Sequence, residues 1–201
     1  MKRWLACLLV PLGLAQPIQA TVLLDYGFDA LVRESKLIVQ AEVLERHSEA
    51  ADLHADDIHT VVTLRVSQVF KGSTAGDELE LSFLGGAVAG EVLEVSGQFL
   101  PSVGDEAIFF ITDPNASHIN PLTGWFQGYF PIVDEGGTPY LDLSDRPDLI
   151  LANATDPLLK KMLNLGVSEA ELERRFPGYA RFTLEDFLLA IEAEVAAQEG
   201  Q

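Results

Sequence analysis

The residues best suited to chemistry crowd into one short stretch. Between positions 47 and 59 the chain carries His47, Glu49, Asp52, His54, Asp56, Asp57 and His59, which include three of its four histidines. Imidazole nitrogen and carboxylate oxygen together suit Zn²⁺ or another divalent transition metal. The candidate ligands are His47, His54, Asp56 and His59, and a metal held there would point to a metal-dependent hydrolase. The spacing follows no known ligand pattern, and His-Glu-x-x-His is absent. A solvated polar hairpin tip accounts for the same residues. No cofactor is therefore expected, with a divalent metal as the alternative.

Other chemistry finds less support. Asp142, Asp145 and Asp148 recur at every third position. An EF-hand loop wants alternate positions and a central glycine. Ser96-Gly97 lacks the Gly-x-Ser-x-Gly frame of a nucleophile elbow. Gly85-Gly86 and Gly90 lack the Lys and Ser/Thr of a phosphate loop. The balance leans away from an enzyme. The densest aromatic group is Trp125, Phe126, Tyr129 and Phe130. Strand alternation would put Trp125, Gln127 and Tyr129 on one face and Phe126, Phe130 and Ile132 on the other. One face should be core; the first set is the candidate contact face for a protein or carbohydrate ligand, and a purely structural role accounts for the same residues.

The elements that must position these residues are mostly strands. Phe28 to Ser35 reads as a short helix. Leu37, Val39, Ala41 and Val43 then alternate with Gln40 and Glu42, the pattern of a half-buried strand. Thr60 to Phe70 and Glu78 to Phe83 continue the period of two. Ala107 to Ile111 is apolar on both faces, as a central strand requires. Trp125 to Val133 reads as a strand with a bulge at Gly128, turned by Asp134 to Gly137 into Tyr140 to Leu143. Beyond residue 144 the pattern becomes helical. Asp156 to Leu165 is one helix, Ser168 to Glu171 forms a capping box, and Thr183 to Asp186 resembles another. Leu184, Phe187, Leu188, Ile191 and Val195 make an apolar stripe on the last helix.

The first 20 residues read as a secretory signal peptide. Lys2 and Arg3 precede the apolar run Leu5 to Ala15, and Ala20 offers a cleavage position. The run is too short to span a bilayer, so no transmembrane segment is expected after cleavage. The protein is then periplasmic or secreted. Its only cysteine, Cys7, leaves with the leader, which excludes disulfides and thiolate chemistry. The charge is −18, from 31 acidic and 13 basic residues. Such a surface repels phosphate backbones, so nucleic acid is not an expected partner.

The order of the pieces carries a resemblance. Leu37-Ile38-Val39-Gln40-Ala41-Glu42-Val43 follows a short helix. Val66-Ser67-Gln68-Val69-Phe70-Lys71-Gly72 ends a long strand. A glycine-rich bend leads to Gly104-Asp105-Glu106-Ala107-Ile108-Phe109-Phe110, and Gly124-Trp125-Phe126-Gln127-Gly128-Tyr129-Phe130 comes last. Over residues 27–135 this resembles uncharacterised exported bacterial domains similar to the OB-type barrel of netrin-like modules and tissue inhibitors of metalloproteinases. The resemblance implies a barrel that binds a macromolecule, and by analogy a protease-regulating partner. Those inhibitors chelate the protease zinc through an N-terminal cysteine, and a chain starting at Thr21 has none, so that mechanism does not carry over.

The expectation is a mainly β protein: a small antiparallel OB-like barrel or sandwich with a short N-terminal helix and a C-terminal α-helical segment. Residues 1–20 are the leader, 21–143 the barrel domain, and 144–201 a helical extension packed on it. The expected function is an exported, non-enzymatic interaction module.

Overall fold

The stretches with a period of two become one long antiparallel pair. β1 (Leu37–Ala50) and β2 (Ile58–Lys71) each run 14 residues. The computed structural model describes residues 26–50, 58–144 and 156–200. The pairing of β1 with β2 sets Val39 opposite Val69, Val43 opposite Leu64 and Glu49 opposite His59, and the register shifts at three places. Each irregularity adds twist and bends the pair. β3 (Glu78–Leu84) lies on the free side of β2, and β6 (Glu106–Ile111) on the free side of β1. A small separate ribbon, β4 (Gly86–Val88) with β5 (Glu91–Leu93), fills the connection between them.

The sheet continues through β7 (Tyr129–Glu135), β8 (Thr138–Asp142) and β9 (Arg181–Thr183). Its seven strands run in the order β3-β2-β1-β6-β7-β8-β9, every neighbour antiparallel. The molecule is thus mainly β with helices towards its ends, but the expected barrel is not closed. β7 turns into a hairpin with β8 and does not return to β3, so β3 and β9 stand at opposite ends of an open sheet.

The apolar run of β6 buries both of its faces. Ala107, Phe109 and Ile111 join Val39, Ala41, Val43, Val62, Leu64, Leu81 and Phe83 on one side. Ile108 and Phe110 join Ile38 on the other, where α1 (Phe28–Glu34) adds Leu31 and Val32. The same side is covered by α4 (Leu184–Glu199) through Phe187, Ile191 and Val195. Burying side chains of this size is worth about 1.5–3 kcal/mol each. The ring of Phe187 lies 5.0 Å from that of Phe130 and 5.6 Å from that of Phe28.

Two shorter helices, α2 (Pro157–Asn164) and α3 (Glu169–Arg175), pack on each other through Leu159, Met162 and Leu172. Asp156 caps α2 by accepting the amide hydrogens of Leu158 and Leu159. The expected box at Ser168 is not made: Ser168 caps α3 without a side-chain hydrogen bond, and Glu171 turns to Arg174 and Arg175. Two guanidinium partners outcompete a backbone amide for that carboxylate. At Thr183 the N-cap half of the box forms, while the Asp186 carboxylate takes the Thr183 hydroxyl. The Thr183 Oγ1 accepts the Asp186 amide hydrogen at 3.1 Å and donates to the Asp186 carboxylate at 2.6 Å. Among the described residues no helix is long and apolar enough to cross a membrane.

Candidate functional site

The histidine-rich stretch is divided by the strands. His47 and His59 lie within β1 and β2, not in a loop, because pairing continues to Ala50 and Ile58. His47 faces Val61 across the ladder, and its ring nitrogens stand 3.8 Å from Glu45 and 3.9 Å from Glu49. Those distances exceed hydrogen-bond range. His59 lies opposite Glu49, and its Nδ1 is 3.1 Å from the Ser82 hydroxyl on β3. His54 and Asp56 fall outside the described residues. Among the described residues no group of three His, Asp, Glu or Cys side chains could hold a metal. Asp142 ends β8 with its carboxylate accepting the Ser144 amide hydrogen at 3.0 Å, while Asp145 and Asp148 lie outside the described residues.

The aromatic group is built differently from the expectation. Trp125–Gly128 is a single 3₁₀ turn, and the strand starts only at Tyr129. Gly124 and Trp125 both take left-handed backbone angles, with φ of 65° and 62°. For a residue with a side chain that conformation costs about 1–2 kcal/mol, and it persists where the surroundings enforce it. Here they do. The Thr123 amide donates to the Phe110 carbonyl at 2.8 Å, and the Trp125 amide to the Leu122 carbonyl at 3.0 Å. The Gln127 side-chain oxygen accepts the Tyr26 amide hydrogen at 2.8 Å. Gly128 presses so closely on β6 that a Cβ there would fall 2.6 Å from the Thr123 carbonyl and 2.8 Å from that of Phe110.

The turn exchanges the expected places of Gln127 and Phe126, while Phe130 stays buried. Gln127 is only 4 % exposed, whereas Phe126 is 48 % exposed. Tyr129 does not share a face with a displayed Gln127. It is half-buried, with its ring 4.8 Å from that of Phe99 and 5.4 Å from that of Phe109. Its hydroxyl donates to the Asp105 carboxylate at 2.8 Å, which also accepts the Ser102 amide hydrogen at 2.8 Å. Burial first, and then the hydrogen bond and charge of Asp105, push the phenol well above its ordinary range.

What the turn builds is a shallow concavity of about 400 Å³. Phe99, Phe126, Tyr129, Phe130, Pro131 and Leu143 line it, with Asp142 at its edge. The Tyr129 hydroxyl is engaged by Asp105, and among the described residues no serine, histidine or lysine lines the wall. Such a surface can receive an apolar group and exclude water around it. Its described residues set no nucleophile beside a base, the arrangement that covalent catalysis needs. Sequence alternation missed Phe126, Phe99 and Leu143. The available signal was the pair of glycines bracketing Trp125-Phe126-Gln127, which marks a tight turn more readily than a strand with a bulge. No protein-family model, no curated protein and no solved structure matches this chain.

Proposed function

We propose that the protein is an exported, non-enzymatic interaction module that holds a macromolecular ligand, protein or carbohydrate, in the concavity beside Phe126. The observation that carries this reading is an exposed phenylalanine on a turn that is both strained and rigidly held. Aromatic anchors in partly enclosed pockets supply most of the energy of typical interfaces. An anchor fixed before binding also loses less conformational freedom on association. Export rests on the leader-like order of Lys2-Arg3, the apolar run and Ala20. The OB-type reading of β1, β2, β3, β6 and β7 belongs to the same proposal, and the irregularities that bend β1 against β2 favour it.

Peptide and glycan arrays probed with the wild-type protein and with Phe126→Asp test the reading. The wild type should retain a defined set of ligands, and the variant should lose them while keeping its thermal midpoint. A variant that binds the same ligands equally well, or a wild type that binds none, would defeat the proposal.

A further inference from the structure

We infer that the ligand of the Phe126 concavity is a cationic peptide segment: an apolar side chain seated against Phe126 and Tyr129, followed by Lys or Arg. This rests on the function proposed above and names the ligand class of that same site. The apolar part has room for one or two hydrophobic side chains within its roughly 400 Å³. Among the described residues that line it the one charged side chain is Asp142, with Asp105 behind the Tyr129 hydroxyl, and Asp142 is also a wall of a second concavity of about 450 Å³. That second hollow brings Glu169, Glu173 and Tyr179 to the same end of the sheet.

The charge there is unbalanced. Among the described residues that line the second hollow, Asp142, Glu169 and Glu173 meet one guanidinium, Arg181, which lies over the Tyr140 ring at 4.8 Å from its centroid. The neighbouring Arg174 and Arg175 are taken up by Glu171, each at 2.6 Å. The phenol of Tyr179 registers the local field: burial, and then Glu169, Glu173 and Asp142, hold it above its ordinary range. A peptide crossing from the apolar hollow past Asp142 would therefore gain from a positive charge and lose from a negative one.

Other ligand classes fit less well. An anionic polymer or lipid surface would meet a chain of net charge −18. A neutral sugar needs polar groups to read its hydroxyls. The hydroxyl of Tyr129 beside the rings is already engaged with Asp105, which leaves Asp142 as the one charged acceptor among the described lining residues.

The test uses three acetylated peptides, Gly-Phe-Lys-Lys, Gly-Phe-Gln-Gln and Gly-Phe-Glu-Glu, titrated into the purified protein and followed by heteronuclear NMR. The lysine peptide should shift the signals of Phe126, Tyr129 and Glu169. It should bind about tenfold more tightly than the glutamine peptide, a difference of about 1.4 kcal/mol. The glutamate peptide should bind more weakly still. Glu169→Gln with Glu173→Gln should erase most of the lysine preference and leave the glutamine peptide unchanged. Glutamine at 173 can still accept the Gly178 amide hydrogen that Glu173 accepts at 2.9 Å.

Equal binding of all three peptides, abolished by Phe126→Asp, would overturn the cation preference and leave the site standing. Binding indifferent to Phe126→Asp, or no binding, would remove the site itself. If replacing Leu149, Ile150 and Leu151 with serine tightened all three peptides equally, the occupant would be that segment of the chain, and the inference would fail.

Discussion

Single residues decide what the aromatic turn presents. Gly128 is fixed by contact: a Cβ would meet two backbone carbonyls, which cannot move aside as a flexible side chain can. Gly128→Ala should therefore destabilise the protein by about 1–3 kcal/mol, as overpacking does, and denaturant unfolding reads the loss directly. Tyr129 acts through its hydroxyl. Tyr129→Phe removes a hydrogen bond to a carboxylate, worth about 1.5–3 kcal/mol. The same residue sets a pH response. The folded-state phenol is raised above its unfolded value, so its contribution is fully present below about pH 10, the ordinary tyrosine value. It declines as pH rises past that point, because the unfolded chain releases the proton first. Unfolding curves at rising alkaline pH should fall more steeply for the wild type than for Tyr129→Phe. Little of this was legible in the sequence. Alternation assigns faces correctly only where the backbone is extended, and the left-handed angles of Gly124 and Trp125 turn Gln127 inward and Phe126 outward.

Elements were far easier to read. The period of two located β1, β2 and β3, and the doubly apolar run found β6, because burial on one or both faces leaves a direct mark on residue order. β9 escaped notice. Its three residues, Arg181–Thr183, gain their strand character from pairing with β8 and not from their own pattern. The openness of the sheet escaped for a related reason, since strand partners are chosen by tertiary packing. The stripe on α4 is the face that is buried, with Leu184 and Leu188 half-buried beside Phe187, Ile191 and Val195. Phe187→Ala should cost about 3–5 kcal/mol. Leu189→Ala, on the opposite, 57 % exposed side of the helix, should change stability by less than about 0.5 kcal/mol. Chain truncation after Gly178 removes both α4 and β9. The product should aggregate, because Phe110, Phe130 and Leu141 lose their cover. A truncated protein that stays monomeric and equally stable would show that this face belongs to another partner.

At the scale of the whole molecule, charge dominates. A chain of net charge −18 works against its own compactness. Raising the salt from about 10 mM to about 150 mM shortens the screening length from about 30 Å to about 8 Å. The thermal midpoint should rise over that range, whereas a flat or falling midpoint would mean that the folded charges are already well paired. The proposed export makes a separate, simple prediction. The intact mass of protein taken from the periplasm or medium should correspond to a chain beginning at Thr21, and retention of the first 20 residues would remove that part of the account. The most direct test of the central claim is site-specific photo-crosslinking in the native compartment, with a photoreactive phenylalanine analogue at position 126 and, as control, at position 189. A discrete adduct from position 126 and none from position 189 is the predicted result. Adducts from both positions alike, or only from 189, would show that the concavity beside Phe126 is not where this protein meets its ligand.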